Sequence, residues 1–166
     1  NMLAEIRKRL CKLITNLQRR YPNDPRTKRV TNRFGKRNCK GNLKVIQYMI
    51  ESEPDPTNDF TSYSLNKGEK IVFCLRSEET KQLHDINIIM FVAIHELAHV
   101  MTKSIGHGDD FWNNMRFLLQ VAIKTDSVGD IIDKTSNEQY IKHKQQPTEE
   151  GKAVNSPPCC RAFPAR

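Results

Sequence analysis

Two histidines and a glutamate form the most chemically informative group in this sequence. His95 and His99 lie four residues apart, and Glu96 directly follows the first of them. On a helix, residues four apart share a face, so the two imidazoles can converge on one point. Two neutral imidazoles suit a zinc ion, and the adjacent glutamate can act as general base toward a water held there.

The residue that would complete such a site is His107. An HExxHxxGxxH arrangement would need glycine at 102 and histidine at 105, but Thr102 and Ile105 stand there. No glutamate occurs between positions 97 and 137, which disfavours a carboxylate ligand from the next helix. The glycine before His107 permits the chain to reverse and bring this imidazole beside the other two. Asp109 and Asp110 are alternative oxygen ligands, although either also suits the start of a helix.

The apolar pattern around these residues predicts two helices. The first begins after Asp85, a suitable N-cap, and runs to about Lys103; it is apolar nearly all round, which indicates a buried central helix. The second begins near Asp109 and runs to about Thr125. Buried imidazoles are costly unless they are ligated or hydrogen-bonded. The competing interpretation is therefore a pair of hydrogen-bonded core histidines with Glu96 in an ion pair.

A β-hairpin is predicted before the central helix. Phe60–Leu65 and Lys70–Leu75 flank the turn residues Asn66-Lys67-Gly68-Glu69, and the second run is rich in β-forming residues. A strand at a sheet edge can pair with an extended peptide.

Which hairpin strand is the edge does not follow from the sequence. The predicted substrate-binding residues are Tyr63, Ser64 and Leu65, with Val72–Cys74 as the alternative edge. Tyr63 and His84 are also candidates for stabilising an oxyanion, although each residue type is more often structural.

The N-terminal third begins with a helical pattern. Residues 2–20 carry apolar groups at spacings of three and four, which predicts an amphipathic helix that stops at the prolines following Tyr21. Arg26–Asn42 shows little periodicity and is expected to be loop-rich. Val45–Ile50 is a short apolar run compatible with strand or helix, and Glu51–Asn58 is expected to be a loop.

Charge is unevenly distributed along the chain. Residues 1–50 contain 14 Lys and Arg against two acids, whereas the remainder has 13 against 17. A basic third suggests a surface that faces a polyanion, and a solvated, solubilising face is the alternative. The candidate nucleic-acid contacts are Arg26, Lys28, Arg29 and Arg33.

Cysteine usage and hydropathy indicate the cellular compartment in which the chain is expected. The five cysteines are scattered, odd in number and form no CxxC pair, which favours a reducing intracellular compartment such as cytoplasm or nucleus. No stretch reaches the roughly 18 apolar residues that a membrane span needs. No signal peptide is visible, although a segment upstream of the first residue would change this expectation.

The run IHELAHVMTKSIGHGDDFWNNM resembles the SprT/WLM-like zinc metallopeptidases. Their pattern is HExxH, a short loop, and a histidine followed by a Phe-rich helix. Gly106-His107-Gly108 leading into Phe111-Trp112 is the more specific part of the likeness, and the upstream hairpin also fits. The resemblance covers about residues 1–125 and is strongest over 60–122.

This resemblance implies the roles of the site residues. His95, His99 and His107 would be the ligands of one catalytic Zn²⁺, and Glu96 would be the base. It also implies a small zincin-like α+β domain over residues 1–125, with an N-terminal amphipathic helix, a β-hairpin or small antiparallel sheet, a buried HExxH helix and a following helix.

The remaining residues, 126–166, are polar and are expected to form a largely disordered tail. A short docked turn at Ile131-Ile132 is the exception. Neither the composition nor the resemblance indicates a function for this tail.

Two functions from different classes follow. The first is a zinc endopeptidase that acts on proteins, including, by the resemblance, proteins associated with or crosslinked to DNA, with the basic third facing the DNA. The second is a non-catalytic basic nucleic-acid-binding module with a purely structural zinc. An intact Glu96 favours the first, because a structural site has no use for a carboxylate beside its first ligand.

Overall fold

The structure, a computed structural model, describes residues 1–34, 49–52, 62–77, 79–123 and 131. Within these ranges the chain forms four helices and a three-stranded sheet, which is the α+β architecture expected. The sheet and three helices pack around one helix that carries the HExxH sequence.

Helix α1 spans Met2–Arg20, as its apolar periodicity predicts. The side-chain oxygen of Asn1 caps it by accepting a hydrogen bond from the backbone N–H of Leu3 at 3.0 Å. Its buried face consists of residues at spacings of three and four, namely Ile6, Leu10, Leu13, Ile14 and Leu17. Burial of this face against the other helices holds α1 in place.

Helix α2 spans Pro25–Phe34, where a basic loop-rich segment was expected, so that part of the prediction is wrong. Proline is well suited to the first helical position, and the Asp24 carboxylate accepts a hydrogen bond from the Arg26 backbone N–H at 2.8 Å. Thr27, Val30 and Phe34 are buried at helical spacing. With only two large apolar residues on that face, the helical period is hard to recognise among so many charges. Residues 35–42 of the expected loop lie outside the described part of the chain.

The sheet consists of β1 (Met49–Ser52), β2 (Tyr63–Leu65) and β3 (Lys70–Cys74), in the order β1-β3-β2. The predicted hairpin is confirmed, because β2 and β3 pair antiparallel. Strand β1 adds a parallel pairing to β3, so the sheet is mixed rather than purely antiparallel.

The sequence did not predict this third strand. The run Val45–Ile50 was compatible with either strand or helix, and the end of β1 lies where a loop was expected. Parallel strands are joined by a long connection without a local turn signal, so the sequence around β1 gives little indication of its partner.

Helix α3 spans Ile86–Met101 and is buried nearly all round, as predicted. The Asp85 side chain caps it by accepting a hydrogen bond from the Asn87 backbone N–H at 2.8 Å. Helix α4 spans Asp109–Ile123 and packs against α3. Helix α3 ends two residues before its predicted end, within the usual uncertainty of helix boundaries. The predicted end of α4, at about Thr125, lies outside the described residues.

Of the predicted tail, only Ile131 is described. Its side chain is buried in the core, and its carbonyl accepts a hydrogen bond from Arg9 Nη1 at 3.3 Å, so this residue is docked against the domain. Ile132 and the remaining tail positions lie outside the described ranges, so the boundary at residue 125 stays a prediction.

Among the helices that the structure describes, none combines the length and apolar character required to cross a membrane.

Candidate metal centre

The three predicted ligands lie together at the C-terminal end of α3. The Nε2 atom of His95 is 3.2 Å from that of His99 and 3.1 Å from that of His107. The potential ligand atoms of all three side chains lie within 4.8 Å of one another. Each imidazole is half-buried, so one side of the group is accessible to solvent. This group of three imidazoles is called the histidine cluster below.

The helical period of α3 supplies the first two members of the cluster. His95 and His99 are one turn apart, and their ring centroids are 4.9 Å apart. The third member comes from the loop 102–108, where Gly106 has a φ of +89° and allows the reversal that the sequence predicted.

Two buried polar residues hold the beginning of this loop. The Thr102 hydroxyl donates a hydrogen bond to the Ala98 carbonyl at 2.7 Å and accepts one from Asn114 Nδ2 at 2.9 Å. Asn114 lies on α4, so this pair of bonds ties the end of α3 to the next helix. The loop therefore leaves α3 in a fixed direction before it reaches His107.

Phe111 packs against all three imidazoles. Its ring centroid lies 4.9 Å from that of His95, 4.5 Å from that of His99 and 4.6 Å from that of His107. The side chain is fully buried, and Trp112 contacts both Phe111 and His107. An aromatic wall of this kind restricts the orientations of the rings and shields one side of the cluster from water.

Burial sets the protonation of His99. The pKa of this imidazole is lowered to about 4, first by burial and then by the charges of His107 and Lys67. His99 is therefore neutral near pH 7, which is the form that binds a metal.

Glu96, the residue after His95, is buried. Its side chain is 6% exposed, and burial raises the pKa of the carboxyl to about 8. Its carboxyl group forms no hydrogen bond or ion pair with any residue in the described ranges. The core ion pair considered as an alternative is therefore not found there.

The donor set of the cluster fits a zinc ion. Neutral imidazole nitrogen is a preferred zinc ligand, and three protein ligands leave a position free for reaction, as in catalytic sites. Asp109 and Asp110, the alternative ligands, do not belong to the cluster. Asp110 instead accepts hydrogen bonds from the Ser104 hydroxyl and the Phe111 backbone N–H at the start of α4.

Two cations near the end of α3 were not anticipated from the sequence. Arg29 Nε donates to the Met101 carbonyl at 2.6 Å, and Lys67 Nζ donates to the carbonyls of Thr102 and Ser104. Positive charge at a helix C-terminus is favourable because the last carbonyls lack intrahelical partners. Their sequence separations of 72 and 35–37 residues explain why no local signal revealed them.

The predicted substrate-binding residues form β2. Among the described strands, β2 lies at an edge of the sheet and β3 is central, so Val72–Cys74 is not an available edge. Leu65 is exposed, and the buried Ser64 Oγ has no hydrogen-bond partner among the described residues. His84 lies outside the histidine cluster.

Three of the four residues predicted to bind nucleic acid have side-chain contacts within the protein. Arg26 pairs with Asp24 at 2.7 Å, and its guanidinium lies 3.7 Å from the centroid of the Phe117 ring. Arg33 Nη2 donates to the Asn66 carbonyl at 2.9 Å. Arg29 is bound to α3, and the two exposed members of the four are Lys28 and Arg33.

The fold and the site together are typical of a metallopeptidase-related domain. The fold is α+β, a buried helix carries HExxH, and the following loop supplies a third histidine. The chain belongs to the WLM domain family, whose family model matches residues 18–156. This match extends past position 125, where the sequence suggested that the domain ends. The family is related to zinc metallopeptidases of the SprT type.

Similar proteins occur in viruses. An uncharacterized protein of Acanthamoeba polyphaga mimivirus is 42% identical over 78 residues, which cover 47% of this chain and 40% of that protein. Another, from Invertebrate iridescent virus 3, is 40% identical over 87 residues, covering 52% and 46%. The chain thus matches less than half the length of these relatives. No solved structure matches it.

Proposed function

We propose that this chain is a zinc-dependent endopeptidase that hydrolyses peptide bonds by water attack. The observation that carries the proposal is the histidine cluster, with Glu96 buried directly after its first member. The WLM family membership supports the same chemistry. His95, His99 and His107 hold the ion in this proposal.

Glu96 performs the proton transfers. Zinc, when bound, supplies a Lewis acid that acidifies water and polarises a carbonyl. The Glu96 carboxylate accepts a proton from the attacking water and passes it to the leaving amine. The buried carboxyl has a pKa of about 8, and a nearby cation favours its ionised form, so Glu96 becomes able to accept that proton at neutral pH.

Strand β2 provides a place for an extended substrate. Among the described strands it lies at an edge of the sheet, where an extended peptide can add by strand pairing. Tyr63, Ser64 and Leu65 are the substrate-binding residues in this proposal, and the exposed Leu65 offers apolar contact to a substrate side chain.

The test compares the wild-type protein with Glu96→Gln. Gln keeps the shape of the side chain but cannot take up the proton, so zinc content should persist while cleavage of casein or histones disappears. Equal cleavage by both proteins would refute the endopeptidase.

The alternative, a nucleic-acid-binding module with structural zinc, predicts a different pattern. The zinc-loaded wild-type protein would bind DNA and cleave nothing, and Glu96→Gln would change neither property. The basic N-terminal third is the feature that favours this alternative.

We further propose that the substrates include proteins associated with or crosslinked to DNA. Support comes from the basic charge of residues 1–50 and from the family resemblance. Because Arg26, Arg29 and Arg33 also have contacts within the protein, Lys28→Gln is the cleanest neutralisation. Affinity for a short DNA duplex should fall steeply with salt, and Lys28→Gln should weaken it. An affinity insensitive to both would remove DNA from the proposal.

A further inference from the structure

The turn between β2 and β3 holds a lysine in an unusual backbone conformation. Asn66 and Lys67 have φ values of +46° and +53°. Asparagine is often found in this left-handed region, but lysine seldom is, because its Cβ approaches the backbone closely. Lys67 therefore takes up a strained position at the tip of the hairpin.

From this position, the Lys67 side chain reaches the loop that carries His107. Its ammonium group donates hydrogen bonds to the Thr102 carbonyl at 2.9 Å and the Ser104 carbonyl at 2.6 Å. These carbonyls lie between the last residue of α3 and the third member of the histidine cluster. One side chain thus bridges two points of the loop 102–108.

The turn itself is anchored to two helices. A Cβ on Gly68, which has a φ of +92°, would lie 2.8 Å from Val100 Cγ2 and 3.0 Å from Phe34 Cζ, so the backbone there is in close contact with α3 and α2. Arg33 Nη2 donates to the Asn66 carbonyl at 2.9 Å. The base from which Lys67 reaches the loop is therefore rigid.

We propose that Lys67 is a positioning residue of the metal centre, which fixes the loop 102–108 and thereby holds the His107 imidazole beside His95 and His99. This inference rests on the proposed zinc site. It assigns a role in metal binding to a hairpin residue far from the HExxH motif in sequence.

The positive charge of Lys67 repels a bound cation, and this repulsion opposes the effect of the positioning role on zinc affinity. After burial and the charge of His107, the charge of Lys67 also lowers the pKa of His99. If this repulsion dominates, removing the ammonium group will strengthen zinc binding. If the positioning role dominates, the same change will weaken it. The sign of the change in affinity therefore decides between them.

The test is the zinc affinity of the full chain, measured by competition with a chromophoric chelator, together with the visible spectrum of the Co²⁺-loaded protein. Lys67→Asn removes the ammonium group but suits the left-handed backbone, so the turn is preserved. We expect a loss of zinc affinity of about tenfold or more and a changed Co²⁺ spectrum. Lys67→Arg, which keeps a donor, should recover most of the affinity.

Lys81→Asn is the matched control. Lys81 also has a positive φ, of +56°, but is exposed and makes no contact with the loop that the structure records. Its substitution should leave zinc affinity unchanged. Thermal unfolding of the apo proteins shows whether each variant is folded, and Lys67→Gly replaces Lys67→Asn if the latter is not.

Two results would overturn the inference, and they are distinguishable. If the wild-type protein binds zinc and Lys67→Asn binds it equally or more tightly, the positioning role is wrong and the proposed function stands. If the folded wild-type protein binds no zinc, the proposed function fails and the inference fails with it.

Discussion

The Nε2 atoms of His95 and His107 lie 3.1 Å apart although the residues are twelve positions apart in the chain. The helix ends at Met101, so this proximity depends on the loop and not on helical periodicity. If His107 is a ligand, its removal should weaken metal binding more than the removal of any supporting residue.

His107→Ala should lower zinc affinity by at least about 100-fold, since loss of an outer partner alone costs 10–100-fold. His84→Ala is the control, because His84 lies outside the histidine cluster, and it should bind zinc as the wild type does. Isothermal titration of the apo proteins measures both. Equal affinities in the two variants would exclude His107 from the site.

The aromatic wall formed by Phe111 leads to a second prediction. Phe111→Leu removes contacts with all three imidazoles and should cost about 1–2 kcal/mol in the free energy of unfolding. Zinc affinity should also fall, because the rings gain freedom that binding must remove.

Phe117→Leu makes the same exchange on the same helix. Phe117 contacts Tyr21 and Arg26. The control should therefore lose stability without losing zinc affinity, as measured by urea unfolding and chelator competition. A parallel loss of affinity in both variants would contradict a specific role for Phe111.

The parts of the fold predicted from sequence are those with local signals. The spacing of His95 and His99 is a helical period, Asp85 is a recognisable cap, and Asn66–Glu69 are typical turn residues between two apolar runs. His107 could be proposed because a glycine precedes it within a short loop. Each of these features depends on residues close together in the chain.

The parts that were missed depend on contacts between distant residues. Lys67 and Arg29 reach the end of α3 from other elements, and β1 pairs with β3 across a long connection. Helix α2 was missed for a different reason: its charges outnumber its buried residues, so only tertiary packing of Val30 and Phe34 shows the helical face. No window of sequence contains that information.

The opposite pKa shifts of Glu96 and His99 predict how the apo protein responds to pH. His99 has its pKa lowered from 6.5 to about 4, so stability rises with pH between those values. Glu96 has its pKa raised from 4.5 to about 8, so stability falls as pH rises through that window. The two effects oppose each other at acidic pH, and only the Glu96 effect remains above pH 6.5.

The metal-free wild-type protein should therefore lose about 2 kcal/mol of stability between pH 6.5 and 8.5, since each pKa unit corresponds to about 1.4 kcal/mol. Glu96→Gln should abolish this decline, whereas Glu79→Gln, at an exposed position, should retain it. Urea unfolding of chelator-treated protein at both pH values provides the measurement. A wild-type stability that is constant or increasing over this range would show that Glu96 is not buried in the way described.

Gly68 and Gly106 both have positive φ but differ in their surroundings. A Cβ at Gly106 would have no neighbour within 4 Å in the described part of the chain, whereas one at Gly68 would lie 2.8 Å from Val100 Cγ2. Gly106→Ala should therefore cost only the backbone strain, about 1–2 kcal/mol. Gly68→Ala adds overpacking, and should cost about 2–4 kcal/mol in total. Urea unfolding of the two variants measures the difference directly. Equal stability of the two variants would show that the turn is not packed against α3.

The Gly68→Ala variant should also bind zinc more weakly than the wild type, because Gly68 fixes the turn from which Lys67 reaches the loop. Zinc affinity is compared at a temperature where the variant remains folded.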